Sequence, residues 1–570
     1  MPNGKFINPY NFVRPDKKEV ERAKFTPHKK FEGYSGILKC ELKTLTPIFI
    51  PDPEKTEVNN KNNEHKTMRF FRINDKPAIP STEIKGMIRS VAEGLSNSCF
   101  SQFEDERLPY RASPLTFIDK GKIKAKGGIV SELTGYGGKL QKAEVFIIPK
   151  NEVECMKEGR EIEVWEVNDN RFKKVTSKDS TKGQSMIGKL KKTSKKAPKY
   201  NFDRVFVPIN KYIEFDENVP VKEDFEELLK DQMIERKEYT GGRETYELQV
   251  GDLVYYEEKN GKVVQIAAVQ KPRLKYLRST GQALESPKLS PCENINSLCP
   301  CCRIFGMVSK KEGFAGKVSF GIALAENSPT LGNFKTLQPL GSPKPSCVQF
   351  YLIDKCRNND KVVDYNNDNA IIRGRKFYYH HTPNKENSYT DEKTNLNSTV
   401  EICPEETTFV FNVYFYNLSD YELGLLLYSL ELENGLAHKI GMAKPLGLGS
   451  VKISIKEFIL FDRKERYSSI LNTGLIENPD KEKFILEYKK KQCNYSSKDK
   501  NEIERNFNNL PYIKDFKAIL KWPSDFSSKI KYPRARRKGT PYGYQWFMNN
   551  KNRTLPLPEE VSSDPLDGWS

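Results

Sequence analysis

Four cysteines crowd into the stretch from Cys292 to Cys302, and three of them fall within "SLCPCCRIFG". Cys299 and Cys302 form a C-x-x-C pair, which commonly supplies half of a tetrahedral zinc site with four sulfur or nitrogen ligands. The residues around the pair lack the thioredoxin-like strand–helix context of a redox motif. We favour Cys292, Cys299 and Cys302 as ligands of a structural zinc, with Cys301, Cys99 or a histidine as the fourth. The alternative is an ordinary reduced loop.

A second candidate site is "IPSTEIKGMIRS", residues 79–90. Lys85 and Arg89 are four residues apart, so they share one face of a predicted helix near its N-terminus. Free N–H groups, the positive end of the helix dipole and two cations suit a phosphate. Gly86 costs the helix roughly 1 kcal/mol relative to alanine, which close approach of a backbone would offset. The pattern predicts a phosphate site, and the alternative is a solvated helix face.

A third candidate is the glycine-rich stretch "HKIGMAKPLGLGSVKI", residues 438–453. Gly447 and Gly449 would let a phosphate approach the backbone N–H groups, with Lys439 and Lys444 supplying charge. The residue order of a P-loop and the strand-first context of a dinucleotide fingerprint are both missing. The stretch therefore predicts either phosphate contact or an ordinary flexible turn.

A fourth candidate is "IIRGRKFYYHH", residues 371–381. Arg373, Arg375 and Lys376 precede a run of aromatic side chains, and single-stranded RNA binding uses cations for phosphates and rings for bases. The same mixture recurs in "KYPRARRKGTPYGYQWF", residues 531–547. RNA or partner contact is the prediction for both stretches, and a strand with an aromatic core face is the alternative for the first.

The elements around these stretches follow a regular order: strand, helix, strand, strand, helix, strand. Alternation marks strands at 36–50, 316–326, 406–418 and 450–461, and apolar residues at helical spacing mark a helix at 82–96. Ser419 and Glu422 form a capping box at the start of a second helix. This order is that of the ferredoxin-like fold. We predict an α+β chain with an N-terminal arm (1–35), a ferredoxin-like (RRM-like) core (36–114 and 291–461), a β-rich insertion (115–290) and a C-terminal extension (462–570). Within the insertion, "KNGK" predicts a hairpin turn.

The charge of the chain indicates a polyanionic partner. The 570 residues carry a net charge of +18, and half of this excess lies in residues 172–200, with ten lysines and one aspartate. We predict a basic loop there that contacts nucleic acid, with a solvated surface loop as the alternative. Apolar runs are too short for a membrane span, and no signal-peptide pattern is visible. We therefore expect a cytoplasmic protein with reduced cysteines and no membrane partner.

The ordered set "IPSTEIKGMIRS", "CPCCRIFG", "AGKVSFG" and "KPLGLGSVKI" closely resembles the motifs of the repeat-associated mysterious proteins, the RAMP superfamily of CRISPR systems. The chain is most similar to the seven-type backbone subunits of type III effector complexes, and among them to a large stand-alone family with "RGRKFYYHH". The resemblance spans residues 33–461. It implies a structural zinc and a role in binding CRISPR RNA, or a guide–target duplex, beside other CRISPR-associated subunits. Thr82 and Glu83 depart from the family's serine–leucine and place an acid beside the proposed phosphate site.

The resemblance also implies an alternative function as an endoribonuclease on precursor or target RNA. Related subunits use an aspartate after the first strand together with a divalent metal, so Asp52 is a candidate that would need Mg²⁺ or Mn²⁺. His65 is the candidate general base for a metal-free cut at a 2′-hydroxyl, and a surface loop histidine is the alternative. A zinc-stabilised adaptor that binds another protein is the third hypothesis.

Overall fold

The structure of the chain, a computed structural model, forms two compact units: Met1–Asp105 with Thr280–Ser570, and Glu106–Ser279. The second unit overlaps the insertion predicted at 115–290. The residues that the structure describes are 4–59, 64–111, 118–119, 122–123, 126–135, 137–167, 173–178, 185–192, 202–235, 245–269, 273–327, 329–341, 347–356, 362–495, 499–533, 535–537, 540–542, 546–547, 549–550, 552–563 and 565–569.

A nine-stranded antiparallel sheet, the core sheet, organises the first unit. The main elements are β1 (Tyr34–Thr44), α1 (Ser81–Leu95), β2 (Val318–Phe320), β3 (Ala323–Ala325), β4 (Thr408–Leu418), α2 (Asp420–Leu430) and β5 (Ser450–Phe461). Strand β5 pairs with β1, β1 pairs with β4, and β2 and β3 both pair with the far edge of β4. The chain is therefore mixed α+β, as the sequence predicts.

The side chains of β1 alternate between buried and exposed positions, as predicted. Leu38, Cys40 and Leu42 are buried, whereas Lys39 and Lys43 are exposed on the opposite face. Successive side chains of a strand point to opposite faces, so one face of the core sheet packs into the core and the other meets solvent.

The strand predicted at 316–326 is instead two short strands, β2 and β3. Phe320 pairs with Val413 and Leu324 pairs with Val410, so one extra residue separates the two pairings. This is a β-bulge, and the N–H of Gly321 there donates to the carbonyl of Asn412 at 2.8 Å. Alternation alone did not reveal the extra residue.

Helices cover one face of the core sheet. The predicted capping box of α2 is confirmed, because the Ser419 side chain accepts from the Glu422 N–H and the Glu422 side chain from the Ser419 N–H. Gly424 lets α2 approach the next helix closely, since a Cβ there would meet the carbonyl oxygen of Phe484 at 2.0 Å. Three helices of the C-terminal extension pack against α1 and α2: α3 (Lys481–Cys493), α4 (Lys500–Asn509) and α5 (Pro511–Leu520).

Ion pairs connect the N-terminal arm and the C-terminal extension to the rest of the first unit. Arg14 donates from Nε to Asp515 at 2.6 Å, and the Asp515 side chain is 1% exposed. Lys489 of α3 pairs with Glu504 at 2.8 Å and with Glu433 at 3.0 Å. Removing one partner of such a pair leaves an uncompensated buried charge, so these contacts hold the extension in place.

The remaining described strands of the first unit have two to nine residues. They are Gly4–Phe6, Tyr10–Val13, Pro51–Asn59, His65–Phe70, Arg72–Ile73, Lys76–Ile79, Gly306–Val308, Gly313–Ala315, Phe334–Thr336, Leu352–Asp354, Ala370–Ile372, Arg375–Tyr378, Ser398–Glu401, His438–Lys439, Leu475–Glu477, Ala535–Arg537, Thr540–Tyr542 and Leu566–Trp569. Its short helices are Pro300–Phe305, Val348–Tyr351, Lys385–Ser388 and Arg463–Ser468. No described helix has both the length and the apolar character that crossing a bilayer requires.

The second unit contains an eight-stranded sheet and the helix Val221–Lys230. The predicted "KNGK" hairpin is present, with Asn260 and Gly261 at positive φ between two of the strands. Two parts of the stretch predicted as a basic loop are strands instead, because Val175 and Leu190 are buried in the sheet. Most of the rest of that stretch lies outside the described residues. The strands of the unit are Pro109–Arg111, Ile118–Asp119, Lys122–Ile123, Gly127–Leu133, Gly138–Pro149, Glu161–Val167, Lys174–Thr176, Ser185–Lys191, Phe202–Glu214, Leu253–Lys259, Lys262–Ala267 and Arg273–Lys275.

Candidate metal centre and nucleic-acid interface

Four buried cysteines converge in the first unit. The sulfur atoms of Cys99, Cys292, Cys299 and Cys302, the cysteine cluster, all lie within 4.8 Å of one another. The Sγ of Cys99 lies 3.5 Å from that of Cys299 and 3.6 Å from that of Cys302. Cys301 lies outside the cluster, with its Sγ 3.5 Å from the Ser96 hydroxyl.

Two separate parts of the chain supply the cluster. Cys99 follows the end of α1, while Cys299 caps the short helix Pro300–Phe305 and accepts from the Cys302 N–H at 3.5 Å. Gly306 ends this helix at φ +88°, where a Cβ would meet the carbonyl oxygen of Phe314 at 2.6 Å. The glycine of "CPCCRIFG" is therefore required by the close backbone on the C-terminal side of the cysteines.

The cluster fits a tetrahedral zinc ion. A Zn–S bond of about 2.3 Å places neighbouring sulfur atoms about 3.8 Å apart, close to the two separations seen here. Hydrogen bonds from the other thiols, Cys292 first, raise the pKa of Cys302 far above its usual range. A bound divalent cation would reverse this, because it deprotonates coordinating thiols. The donor set has no open position, so the ion would be structural.

The start of α1 leaves backbone donors available. Pro80 precedes the helix and provides no side-chain cap. Gly86 is exposed, and a Cβ built on it would meet no atom within 4 Å. Lys85 is half-buried, and burial, followed by the charge of Arg89, lowers its pKa. This end of α1 combines a cation, an uncapped helix start and an open backbone surface.

The loop of residues 440–449 is named the glycine loop. Burial lowers the pKa of its Lys444, and the charge of Glu83 in the first turn of α1 acts in the opposite direction. A Cβ on Gly449, at φ +90°, would meet the Ile440 carbonyl oxygen at 2.1 Å, and one on Gly447, at φ +98°, would meet the His381 carbonyl oxygen at 3.0 Å. The glycines thus allow the loop to pack against the chain's own backbone.

Lys439 is buried beneath the glycine loop. Its Nζ donates to the carbonyls of Leu448 at 2.9 Å and Gly447 at 3.3 Å. Burial, with the nearby charge of Lys444, lowers its pKa to about 7. Lys439 therefore supports the loop from the inside, whereas Lys444 is only partly buried and donates to the Gly441 carbonyl.

Arg89 pairs with groups of the protein. Its Nε donates to Glu93 at 3.1 Å, and its Nη2 lies 3.8 Å from the Sγ of Cys302. Arg89 and Lys85 thus have different surroundings although they share one helix face, because the arginine contacts the cysteine cluster.

The "RGRKFYYHH" segment lies largely in the interior. Arg373 and Arg375 are 5% and 7% exposed, and Arg373 donates from Nε to the Leu352 carbonyl at 3.1 Å. Lys376 is partly buried with its Nζ 3.8 Å from the ring centroid of Tyr10, and burial lowers its pKa to about 8. The strand with an aromatic core face, the alternative given above, describes this segment better than an open RNA surface. Most side chains of the second such stretch, 531–547, lie outside the described residues.

The two catalytic candidates occupy opposite ends of one hairpin, where Pro51 pairs with Phe70 and Asn59 with His65. His65 is buried, and its two ring nitrogens contact the Thr394 carbonyl at 2.9 Å and the Thr399 hydroxyl at 2.8 Å. Asp52 is 7% exposed and accepts from the Glu54 N–H at 3.1 Å. These contacts give both side chains structural partners.

One family accounts for the motifs that meet in this unit. The sequence model of the RAMP superfamily matches residues 41–452, most of the chain. The chain belongs to the RAMP superfamily. The matched part of this RAMP protein includes the cysteine cluster, α1 and the glycine loop.

Chains from three solved structures are similar to this chain at low identity. One, from the type III-B Cmr-beta complex bound to cognate target RNA, is 11% identical over 75% of this chain and 98% of that chain, with a TM-score of 0.18. One from the apo state of Cmr-beta is 9% identical over 73% and 96%, with a TM-score of 0.19. Csc2 of Thermofilum pendens is 15% identical over 50% and 66%, with a TM-score of 0.15. No curated protein matches, so the family assignment rests on the sequence match.

Sequence reasoning missed a buried ionic network in this RAMP protein. Arg303, the arginine of "CPCCRIFG", donates to Glu422 at 2.8 Å, and Lys317 lies 3.4 Å from the same carboxylate. Glu422 is also the capping-box residue of α2. The network ties the cysteine-bearing turn to the start of α2, and no spacing in the sequence connects residues 303 and 422.

Proposed function

We propose that this RAMP protein binds a CRISPR RNA, alone or paired with its target, as a subunit of a type III-like effector complex in the cytoplasm. The observation that carries the proposal is the uncapped start of α1, with Lys85 and the exposed Gly86; the fold would bring Lys444 of the glycine loop to the same end of the core sheet. Backbone N–H groups, a helix dipole and two cations together form a phosphate site. The superfamily match and the basic net charge support the same conclusion.

The proposed core fold is ferredoxin-like. The order β5–β1–β4–β2/β3, with antiparallel neighbours and the helices on one face, supports it because this is the arrangement that a strand–helix–strand–strand–helix–strand chain adopts. In this arrangement the N-terminus of α1 and the turn before β5 lie at one end of the sheet, where the RNA would bind.

The predicted RNA-binding residues divide into two proposed roles. Lys85 and Gly86 contact phosphates, and Lys444, whose Nζ also donates to the Gly441 carbonyl, adds its charge from the glycine loop. The others hold the interface in shape, because their side chains or Cβ positions are occupied by protein contacts; they are Arg89, Arg373, Arg375, Lys376, Lys439, Gly447 and Gly449. A structural zinc in the cysteine cluster would join α1 to the segment that precedes β2.

Contact with other subunits is proposed for an exposed loop after β5. Tyr467, Ile470 and Leu471 are 81%, 100% and 87% exposed in the isolated chain. Contiguous exposed apolar side chains on a soluble protein mark interaction sites, and partner subunits of the complex would cover them.

Binding of a repeat-derived RNA by variants of the full chain tests the phosphate site. We expect Lys85→Ala to weaken binding and to reduce the slope of log K against log salt by about one. Gly86→Glu should weaken binding further, because it adds a negative charge where a side chain meets no steric obstacle. Lys464→Ala, which removes an exposed cation elsewhere, is the matched control. Equal slopes for Lys85→Ala and Lys464→Ala would contradict the site.

A further inference from the structure

We propose that Arg89 and Arg375 are the counter-ions of the metal-loaded cysteine cluster and do not contact RNA. This inference rests on the proposed zinc site and extends it to two residues whose sequence pattern had indicated phosphate binding. Four thiolates around one divalent cation leave two net negative charges in a buried place. A buried charge is tolerated when nearby charges and hydrogen bonds compensate it.

Arg89 contacts the cluster directly. Its Nη2 lies 3.8 Å from the Sγ of Cys302, within hydrogen-bond distance for sulfur. Its Nε is held at 3.1 Å by Glu93 one turn further along α1, and the arginine side chain is 22% exposed. The guanidinium is therefore fixed beside a sulfur atom, where a thiolate would accept a charge-assisted hydrogen bond.

Arg375 contacts the two residues that flank Cys99. Its Nη2 donates to the carbonyl of Ser98, and its Cζ lies 4.3 Å above the ring of Phe100. These two contacts are the residues immediately before and after Cys99. The side chain is 7% exposed, and its Nε has no hydrogen-bond partner among the described residues.

The local charges are unbalanced until a metal is bound. Glu93 is the carboxylate that interacts with both guanidinium groups, and it also accepts from the Ser101 hydroxyl at 2.6 Å. With four neutral thiols, Glu93 would be the one carboxylate among the described residues that acts on both guanidinium groups. The two negative charges of a loaded cluster supply the missing compensation, and this gives Arg375 an ionic partner in the interior.

Zinc retention by the purified full-length chain tests the proposal. Metal content is measured first, and the rate of zinc transfer to a colorimetric chelator is then compared for the parent, Arg89→Met and Arg375→Met, with Lys85→Met as the control on the same helix face. We expect about 10- to 100-fold faster release from both arginine variants and the parent rate from the control. Arg89→Lys and Arg375→Lys should recover part of the loss, because they restore the charge.

A cobalt-substituted sample provides a readout that general destabilisation does not move. Loss of a hydrogen bond to a ligand sulfur should shift the sulfur-to-cobalt absorption band in Arg89→Met, which keeps the test valid if Arg375→Met fails to fold. Parent release rates and an unshifted band in Arg89→Met would overturn the proposal, as would a parent chain that holds no zinc. RNA binding measured on the same samples separates the two ideas, since failure of the counter-ion role leaves the Lys85 effect on RNA intact.

Discussion

The start of α1 and the segment 373–376 are both rich in cations, yet the first is open to solvent and the second is buried. Lys85 and Gly86 lie at an uncapped helix start with open space beside the glycine. Arg373 and Arg375 lie in the interior, where both donate to carbonyl groups and Arg375 also contacts an aromatic ring. A cation in a sequence therefore indicates a charge that needs a partner, and burial decides whether that partner is the protein or a ligand.

Substitution of a cysteine in the cysteine cluster should have the largest effect on stability. Cys302→Ser removes one of four ligands that join α1 to the segment before β2, and a structural zinc supplies folding free energy directly. We expect loss of zinc and of cooperative thermal unfolding, measured by metal content and calorimetry. Cys155→Ser, at an exposed cysteine, should leave both unchanged; equal behaviour of the two variants would show that the cluster binds no structural metal.

Gly449→Ala should be the next most damaging change. The residue has φ +90°, and its Cβ would lie 2.1 Å from the Ile440 carbonyl oxygen, so backbone strain and a steric clash combine to cost about 2–4 kcal/mol. Chemical denaturation measures the loss. Gly435→Ala, also at positive φ but with no atom within 4 Å, is the control for strain alone, and a loss of equal size there would remove the packing role of the glycine loop.

Arg373→Met and Lys85→Met compare the two cation-rich regions directly. The first leaves the Leu352 carbonyl without its donor and should lower the free energy of unfolding by about 1–3 kcal/mol. The second should lower it by less than about 0.5 kcal/mol but weaken RNA binding. Denaturant melts and RNA titrations on both variants check the pair. The comparison fails if Arg373→Met weakens RNA binding without changing stability.

Acid should destabilise the region under the glycine loop. Burial lowers the pKa of His381 to about 3 and that of His438 to about 4. Burial also lowers the pKa of His380 well below its usual value. Lys439, Ser450 and Trp522 face these rings. The unfolded histidines bind protons from about pH 6.5 downward while the folded ones stay neutral, so stability is fully present above pH 6.5 and falls below it.

The size of the acid effect is at most ~1.4 kcal/mol per pH unit for each histidine. Thermal midpoints between pH 7 and pH 5 measure it. His438→Gln cannot titrate, so it should flatten the slope even if it lowers the midpoint at pH 7. A slope identical to that of the parent would show that His438 is accessible to protons in the folded chain.

The smallest effect on the isolated chain is expected at the exposed loop. Ile470→Ser with Leu471→Ser should change the free energy of unfolding by less than about 0.5 kcal/mol, because both side chains already contact solvent. Assembly with partner subunits should weaken, as measured by co-purification. Unchanged assembly would assign the contacts to another surface.

Local patterns in the sequence predicted α1, the capping box of α2, the alternation of β1 and the "KNGK" hairpin, because a few neighbouring residues determine each of them. The bulge between β2 and β3 depends on pairing with β4, so alternation within one strand did not reveal it. Cys99 joins the cluster only through the path of α1, which left it one of several choices for the fourth ligand. The aromatic and cationic mixture of residues 373–381 describes an interior strand as well as an RNA surface, and only the covering N-terminal strand Tyr10–Val13 distinguishes the two.

The most direct test of the central claim is the identity of the nucleic acid that the chain carries. The full-length protein is expressed together with its repeat array and purified at moderate salt, and the bound RNA is extracted and sequenced. The account predicts RNAs of uniform length with repeat-derived ends, and a reduced yield of them from Gly86→Glu. A protein free of nucleic acid, or one with RNA of random sequence that high salt removes, would contradict guide binding by this chain.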